Sequence, residues 1–134
     1  MPMIQARIAS DVVPYDPNWL ILHAGTNDLG QGLETMRLRM AALLAEIRAR
    51  LPDLHTLALF EIPPRLHHEA DALAFNALYS QLLADSGFSP QQTVIIPSSL
   101  TLADHIADGV HPNQAGHLLH TSEAVTALRS RALP

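Results

Sequence analysis

Three short apolar runs constrain this chain more than any other feature: Trp19 to Ala24, which stops at Gly25, Thr56 to Ile62, which stops at Pro63-Pro64, and Thr93 to Ile96. None of them alternates apolar with polar residues, so each reads as a strand buried on both faces rather than one that faces water on one side. Between them lie segments with helical periodicity. Strands of this kind alternating with helices imply a parallel sheet covered by helices on each side, an α/β three-layer sandwich.

The helical segments are set by spacing and by their stops. Ile4, Ile8 and Val12 recur every four residues in a segment closed by Pro14 and Pro17. From Leu33 to Leu51 the positions Leu33, Met36, Met40, Leu43, Leu44, Ile47 and Leu51 follow the 3.6-residue period until Pro52 ends it. A helix is expected from about Glu69 to Ala84, with Leu73, Tyr79, Leu82 and Leu83 as core contacts and Gly87 at its C-terminal cap. Leu100 to Ile106 reads as a loop or short helix. The last helix is expected to open at Pro112 and to run through Leu118, Leu119, Val125 and Leu128.

At 134 residues the chain makes a single domain, 1–134, of a size that buries roughly two thirds of its unfolded surface. Apolar residues at 48% and charged residues at 16% describe a globular protein and exclude disorder. A net charge of -5, with every basic residue an Arg, argues against a nucleic-acid or anionic-membrane partner. No Cys occurs, so disulfides and Cys-based metal sites are ruled out. The longest apolar stretches are strand-sized, short of the ~20 residues that span a bilayer. Met1 to Gln5 contains no basic region followed by a hydrophobic stretch, so no leader is visible, although secretion stays open if the natural N-terminus lies upstream.

Two motifs carry chemistry. Gly25-Thr26-Asn27-Asp28 follows the first strand, and Asp108-Gly109-Val110-His111-Pro112 precedes the last helix. Both fall where open α/β sheets build their sites, beyond strand ends or before a helix. His111 suits a general base, and Asp108, across an Asp-Gly turn, suits the group that orients it. The Asn27 amide can donate to a developing oxyanion. Gly25 lets the backbone turn sharply beside a substrate, and Asp28 reads as organiser of the same loop, so both are assigned to substrate binding. Each motif taken alone is also good turn chemistry.

Other candidates carry less. His23 reads as a packed core imidazole, and Gly30-Gln31-Gly32 lacks the Lys and Ser/Thr of a phosphate loop. His117 with His120, and His67 with His68, lack zinc-protease spacing, so no metal or cofactor is assigned.

The two motifs resemble the third and fifth signature blocks of the SGNH (GDSL) serine ester hydrolases. With Leu22-His23-Ala24 before the first, Phe75-Asn76 in the middle helix, and Ile106-Ala107 before and Asn113-Gln114-Ala115-Gly116-His117 after the second, the chain is similar to the acetyl xylan esterase-like, family-three carbohydrate esterase branch. The resemblance runs from Pro14 onward. It implies a flavodoxin-like sheet, a carbohydrate O-acetyl esterase activity on a small-molecule or carbohydrate ester, and roles for Asn27 as oxyanion donor, His111 as base and Asp108 as its orienting partner.

One part of the pattern is missing, because no Gly-Asp-Ser occurs in the chain. Ser10 sits in a helical pattern with no strand before it, and Ser98 and Ser99 lack a glycine-flanked turn, so none is assigned as nucleophile. The expectation is an N-terminally truncated SGNH domain that is inactive by itself. A catalytically inactive carbohydrate-binding pseudoenzyme is the alternative, and histidine-based metal deacetylation a more distant one. In the flavodoxin-like order the missing first strand would lie beside Trp19 to Leu22, so that edge should be bare and prone to self-association.

Overall fold

The computed structural model describes residues 1–130. Strands β1 (Trp19–Leu22), β2 (Thr56–Phe60) and β3 (Thr93–Ile96) form one parallel sheet in the order β1-β2-β3. Helices α1 (Pro2–Asp11), α2 (Leu33–Arg50), α3 (Glu69–Asn76), α4 (Tyr79–Asp85) and α5 (Gln114–Arg129) complete it. The expected α/β architecture is present, and all three strands fall inside the runs read as strands.

The two helical layers are unequal. Side chains alternate across a strand, so Leu22, Leu57 and Leu59 point to one face, where they meet Ile8 of α1, five residues of α2, and Phe75, Tyr79, Leu82 and Leu83 of α3 and α4. This is the main core. The other face carries Ala58, Val94 and Ile96, packed beneath Ala124, Ala127 and Leu128 of α5 with Phe60 at the margin. A small residue at Ala58 lets α5 approach the sheet closely. No helix of the described residues is long and apolar enough to cross a membrane.

Several sequence expectations need correction. Leu33 is exposed although the other six positions of the α2 stripe are buried, because it occupies the first turn, before the helix reaches the core. The helix expected over Glu69 to Ala84 is broken into α3 and α4. At the break Asn76 turns back on the segment that follows β2: its Oδ1 accepts from Ile62 N and its Nδ2 donates to Ile62 O, both at 2.9 Å. α3 buries Ala72 and Phe75 instead, and Leu73 is exposed at 73%. The last helix opens two residues after Pro112, because Asn113 supplies the cap by accepting from Gly116 N at 3.0 Å. Leu118 and Val125 lie on the outer side of α5, since a helix set against one face of a three-stranded sheet buries a single stripe.

β1 also departs from expectation. Trp19 and Ile21 remain exposed on the α5 side, because α5 covers β2 and β3 and stops short of β1. The strand is therefore buried on one face.

The unequal layers predict unequal sensitivity to truncation. Leu44→Ala, at a fully buried position, should cost about 2–5 kcal/mol in a urea unfolding experiment. Leu118→Ala should stay within about 0.5 kcal/mol, and comparable losses at both positions would contradict this division of the core.

Candidate active site

The loop after β1 is shaped by Gly25, whose φ of +113° lies in the left-handed region where a side chain is strained. A Cβ there would come within 2.5 Å of Ile62 Cδ1. The chain then forms one tight turn, with Asp28 N donating to Gly25 O at 2.8 Å. That turn leaves Asn27 exposed while drawing Asp28 inward.

Asp28 is the anchor of this loop. Its carboxylate accepts from the N-terminal ammonium of Met1 at 2.5 Å and from Arg39 of α2 at 2.6 Å, so α1, α2 and the loop meet on one charge. Burial alone would raise its pKa, but the hydrogen bonds from the ammonium and from Arg39 outweigh that and hold it below the ordinary carboxylate value. Both carboxylate oxygens are thus occupied by protein partners.

His111 is fixed from the opposite side of the cleft. Asp108 Oδ1 accepts from Val110 N at 2.8 Å and His111 N at 3.0 Å, while Oδ2 lies 2.6 Å from His111 Nδ1. The bond to the imidazole, then those two backbone donors, hold the Asp108 carboxyl far below the usual carboxylate range. With Asp108 ionised, Nδ1 carries the proton and donates it, and Nε2 presents a free lone pair.

The backbone beneath is locked by a compact set of bonds. Asn113 N donates to Asp104 O at 2.7 Å and Asn113 Nδ2 to Ala103 O at 3.0 Å. Ile106 N donates to His111 O at 2.9 Å. Buried His105 forms a bridge with Pro112 and donates from Nδ1 to Thr101 O at 2.8 Å. Gly116 is packed so tightly on Asp104 O, Leu100 and Pro112 that a Cβ has no room.

Asn27 and His111 line the same cleft, of about 630 Å³, together with Gly25, Asp28 and His23. The sequence candidates thus converge, although Asp108, which reaches the cleft only through His111, is outside the lining. Met1, Met3, Ile4 and Arg7 of the α1 segment form another wall that sequence reasoning missed. Nothing local to that segment marks it, since only the packing of α1 against α2 brings it there.

Apart from His23, the remaining candidates lie elsewhere. Ser10 hydrogen-bonds Asp11 on the exposed side of α1. Ser98 Oγ is 3.4 Å from His120 Nε2, and Ser99 is bound to Glu123. Gln31 is turned onto Arg39, and His68 Nδ1 contacts Asp71 at 3.0 Å. His23 does not sit in the core as expected: it lines the cleft, and its ring lies 5.1 Å from Phe60 and 5.5 Å from His120.

Comparison with known proteins fits this geometry. The family model described as GDSL-like Lipase/Acylhydrolase family matches residues 1–119. The chain belongs to that family. A multidomain esterase of Ruminococcus flavefaciens is 28% identical over 110 residues, 77% of this chain and 14% of the relative. Among solved structures, a carbohydrate esterase family 3 protein from Talaromyces cellulolyticus superposes with TM-score 0.77 at 20% identity, covering 94% of this chain and 66% of its own. A Clostridium thermocellum family 3 carbohydrate esterase gives TM-score 0.77 at 18% identity, covering 96% and 64%. The SGNH-type α/β fold expected from the motifs is therefore borne out, and the chain spans less than two thirds of the Clostridium thermocellum protein and a small part of the multidomain esterase.

The site carries a pH signature. Partial removal from water lowers the pKa of His23 and of His120; His120 lowers His23 further, and Glu123 pulls His120 partly back. Both imidazoles favour the neutral form in the fold, so the unfolded chain takes up their protons first, near its ordinary value of ~6.5. Stability should fall as pH drops from about 7 to 5, read as a lower Tm, and His120→Phe should flatten the fall. Asp108 has the opposite relation: its lowered pKa favours the fold above about pH 4, and that contribution goes only in stronger acid. A Tm that is flat from pH 7 to 5 in the parent chain would contradict the histidine assignment.

Proposed function

We propose that this chain carries the base and oxyanion side of a serine ester hydrolase site, directed at O-acyl esters and, within that class, at O-acetyl groups on carbohydrates. The supporting observation is the meeting of the Asn27 amide and the His111 imidazole in one cleft, with Asp108 behind the imidazole. In this reading His111 Nε2 takes the proton from an attacking hydroxyl and returns it to the departing alcohol. Asp108 holds the tautomer that makes this available and stabilises the imidazolium formed during the step. Asn27 donates to the oxygen that gains negative charge, and Gly25 keeps the loop backbone clear of the acyl group.

No serine is among the described lining residues of the cleft, which supports a nucleophile supplied from elsewhere. We therefore assign this chain by itself no efficient turnover. Gly25 and Asp28 differ in their part: Gly25 shapes the ester site directly, and Asp28 acts by fixing the loop that presents Asn27. The same lack of a lining serine also supports the second reading, a pseudoenzyme that binds acylated carbohydrate without hydrolysing it.

Nitrophenyl acetate hydrolysis separates the readings. The chain alone should stay near background, and a version extended N-terminally by a strand ending in Gly-Asp-Ser should hydrolyse the ester. In that version His111→Ala should reduce turnover by up to about 10⁶ and Asn27→Ala by about 10²–10³, with no response to EDTA. Activity in the short chain that survives His111→Ala would overturn the assignment. Saturable binding of an acetylated xylo-oligosaccharide with no turnover in the extended version would establish the pseudoenzyme.

A further inference from the structure

The segment after β2 touches both site loops. Leu66 N donates to Gly109 O at 3.1 Å, so it is bonded to the turn that joins Asp108 to His111. The approach is close, because a Cβ on Gly109 would come within 2.6 Å of Leu66 Cβ. Two residues further on, the ring of His68 covers Gly30 in the loop that carries Asn27, and a Cβ there would come within 2.5 Å of His68 Cε1. Gly109 has φ +64° and Gly30 φ +86°, so conformation as well as space requires a glycine at both contacts.

The segment itself is stiff. Pro63 and Pro64 fix two successive φ angles, and Pro63 reaches the cleft wall with Val110 and His111. His68 N then donates to Arg65 O at 2.8 Å and closes the turn 65–68. His67, third in that turn, holds φ +67°, where Gly or Asn is usual. Such strain in a residue with a side chain persists where the surroundings over-determine it. On the far side His68 O accepts from Ala72 N at 3.1 Å, His68 Nδ1 meets Asp71 at 3.0 Å, and Asn76 binds both backbone groups of Ile62. The turn is thus carried by a closed unit, residues 62–76.

Neither site loop sets its own distance from the other. The bonds within each fix its shape, and among the described residues no hydrogen bond runs directly between residues 25–32 and 106–112. We propose that the turn 65–68 is a clasp that sets the gap between Asn27 and His111. Leu66 positions His111 through Gly109, and His68 positions Asn27 through Gly30. This rests on the reading that both groups act on one ester.

Leu66 and His68 are not among the described lining residues of the cleft, so each acts through its glycine and governs turnover rather than binding. Displacement of a reacting group by about 1 Å can cost ~10² in rate.

Pulsed electron resonance between spin labels on Gln31→Cys and Ala107→Cys, exposed positions on the two loops of a chain with no native Cys, reads the gap directly. The parent should give one narrow distance. Leu66→Pro removes the N–H that reaches Gly109 while suiting the second position of the turn, and His68→Ala removes the ring over Gly30. Each should broaden the distance and shift its mean outward, with circular dichroism unchanged. Leu66→Ala keeps the N–H and the Cβ and should match the parent. In the version extended by Gly-Asp-Ser, Leu66→Pro and His68→Ala should each lower kcat by about 10² and leave KM unchanged. An unchanged distance in both variants overturns the proposal, as does a broadened distance with kcat intact in an active extended version. An extended version that hydrolyses nothing refutes the ester reading alone, and the label distances still decide on the clasp. Should Leu66→Pro fail to fold, His68→Ala decides both arms.

Discussion

The burial of β2 between two unlike layers is the constraint from which the remaining structure follows. Leu57 and Leu59 are drawn into the large core with α1 to α4, while Ala58 and Phe60 meet α5 on the other side. Because the side-chain period of a strand is two, a slip of one residue would exchange the faces and drive leucines against α5. The register of β2 therefore sets the heights of both neighbours. It places the end of β1 three residues before Gly25, and it places Ile62, two residues beyond β2, where Gly25 has no room for a side chain.

From that point the cleft is assembled by two rigid loops rather than by the strands themselves. One is held by Asp28, whose carboxylate joins α1, α2 and the turn that carries Asn27. The other is held by the bonds among Thr101, Asp104, His105 and Asn113, with Gly116 closing the gap to α5. Neither loop has an apolar core of its own. Both rest on hydrogen bonds among polar groups, with His105 Nε2 left buried and unpaired, and these bonds let Asn27 and His111 stay exposed on backbones that are fixed. The His111 side chain is 74% exposed, yet its ring orientation is set by Asp108.

The thin layer has a further consequence. α5 contributes a single buried stripe and covers only β2 and β3, so the α5-facing side of β1 meets water. His23 lies at this boundary, where cleft, sheet and α5 meet, and Phe60 and His120 crowd its ring. The exposed α5-facing side of β1 and the histidine cluster are two results of the same unequal coverage.

Much of this was readable from residue order. The three strands, the α2 stripe and the pairing of Asp108 with His111 are local matters, fixed by periodicity, by turn residues and by a three-residue spacing that a single loop can close. The family could be read as well, because the Asn and Asp–His motifs are short and contiguous. The break at Asn76, the bare outer side of α5, the exposed face of β1 and the α1 wall of the cleft were not readable. Each depends on which element covers which, and so on contacts between residues far apart in the chain. An apolar run says that a strand can be buried, but only the packed layers decide how many of its faces are; a motif names the groups of a site, but only the register of β2 and the two polar loops bring Asn27 and His111 to one cleft.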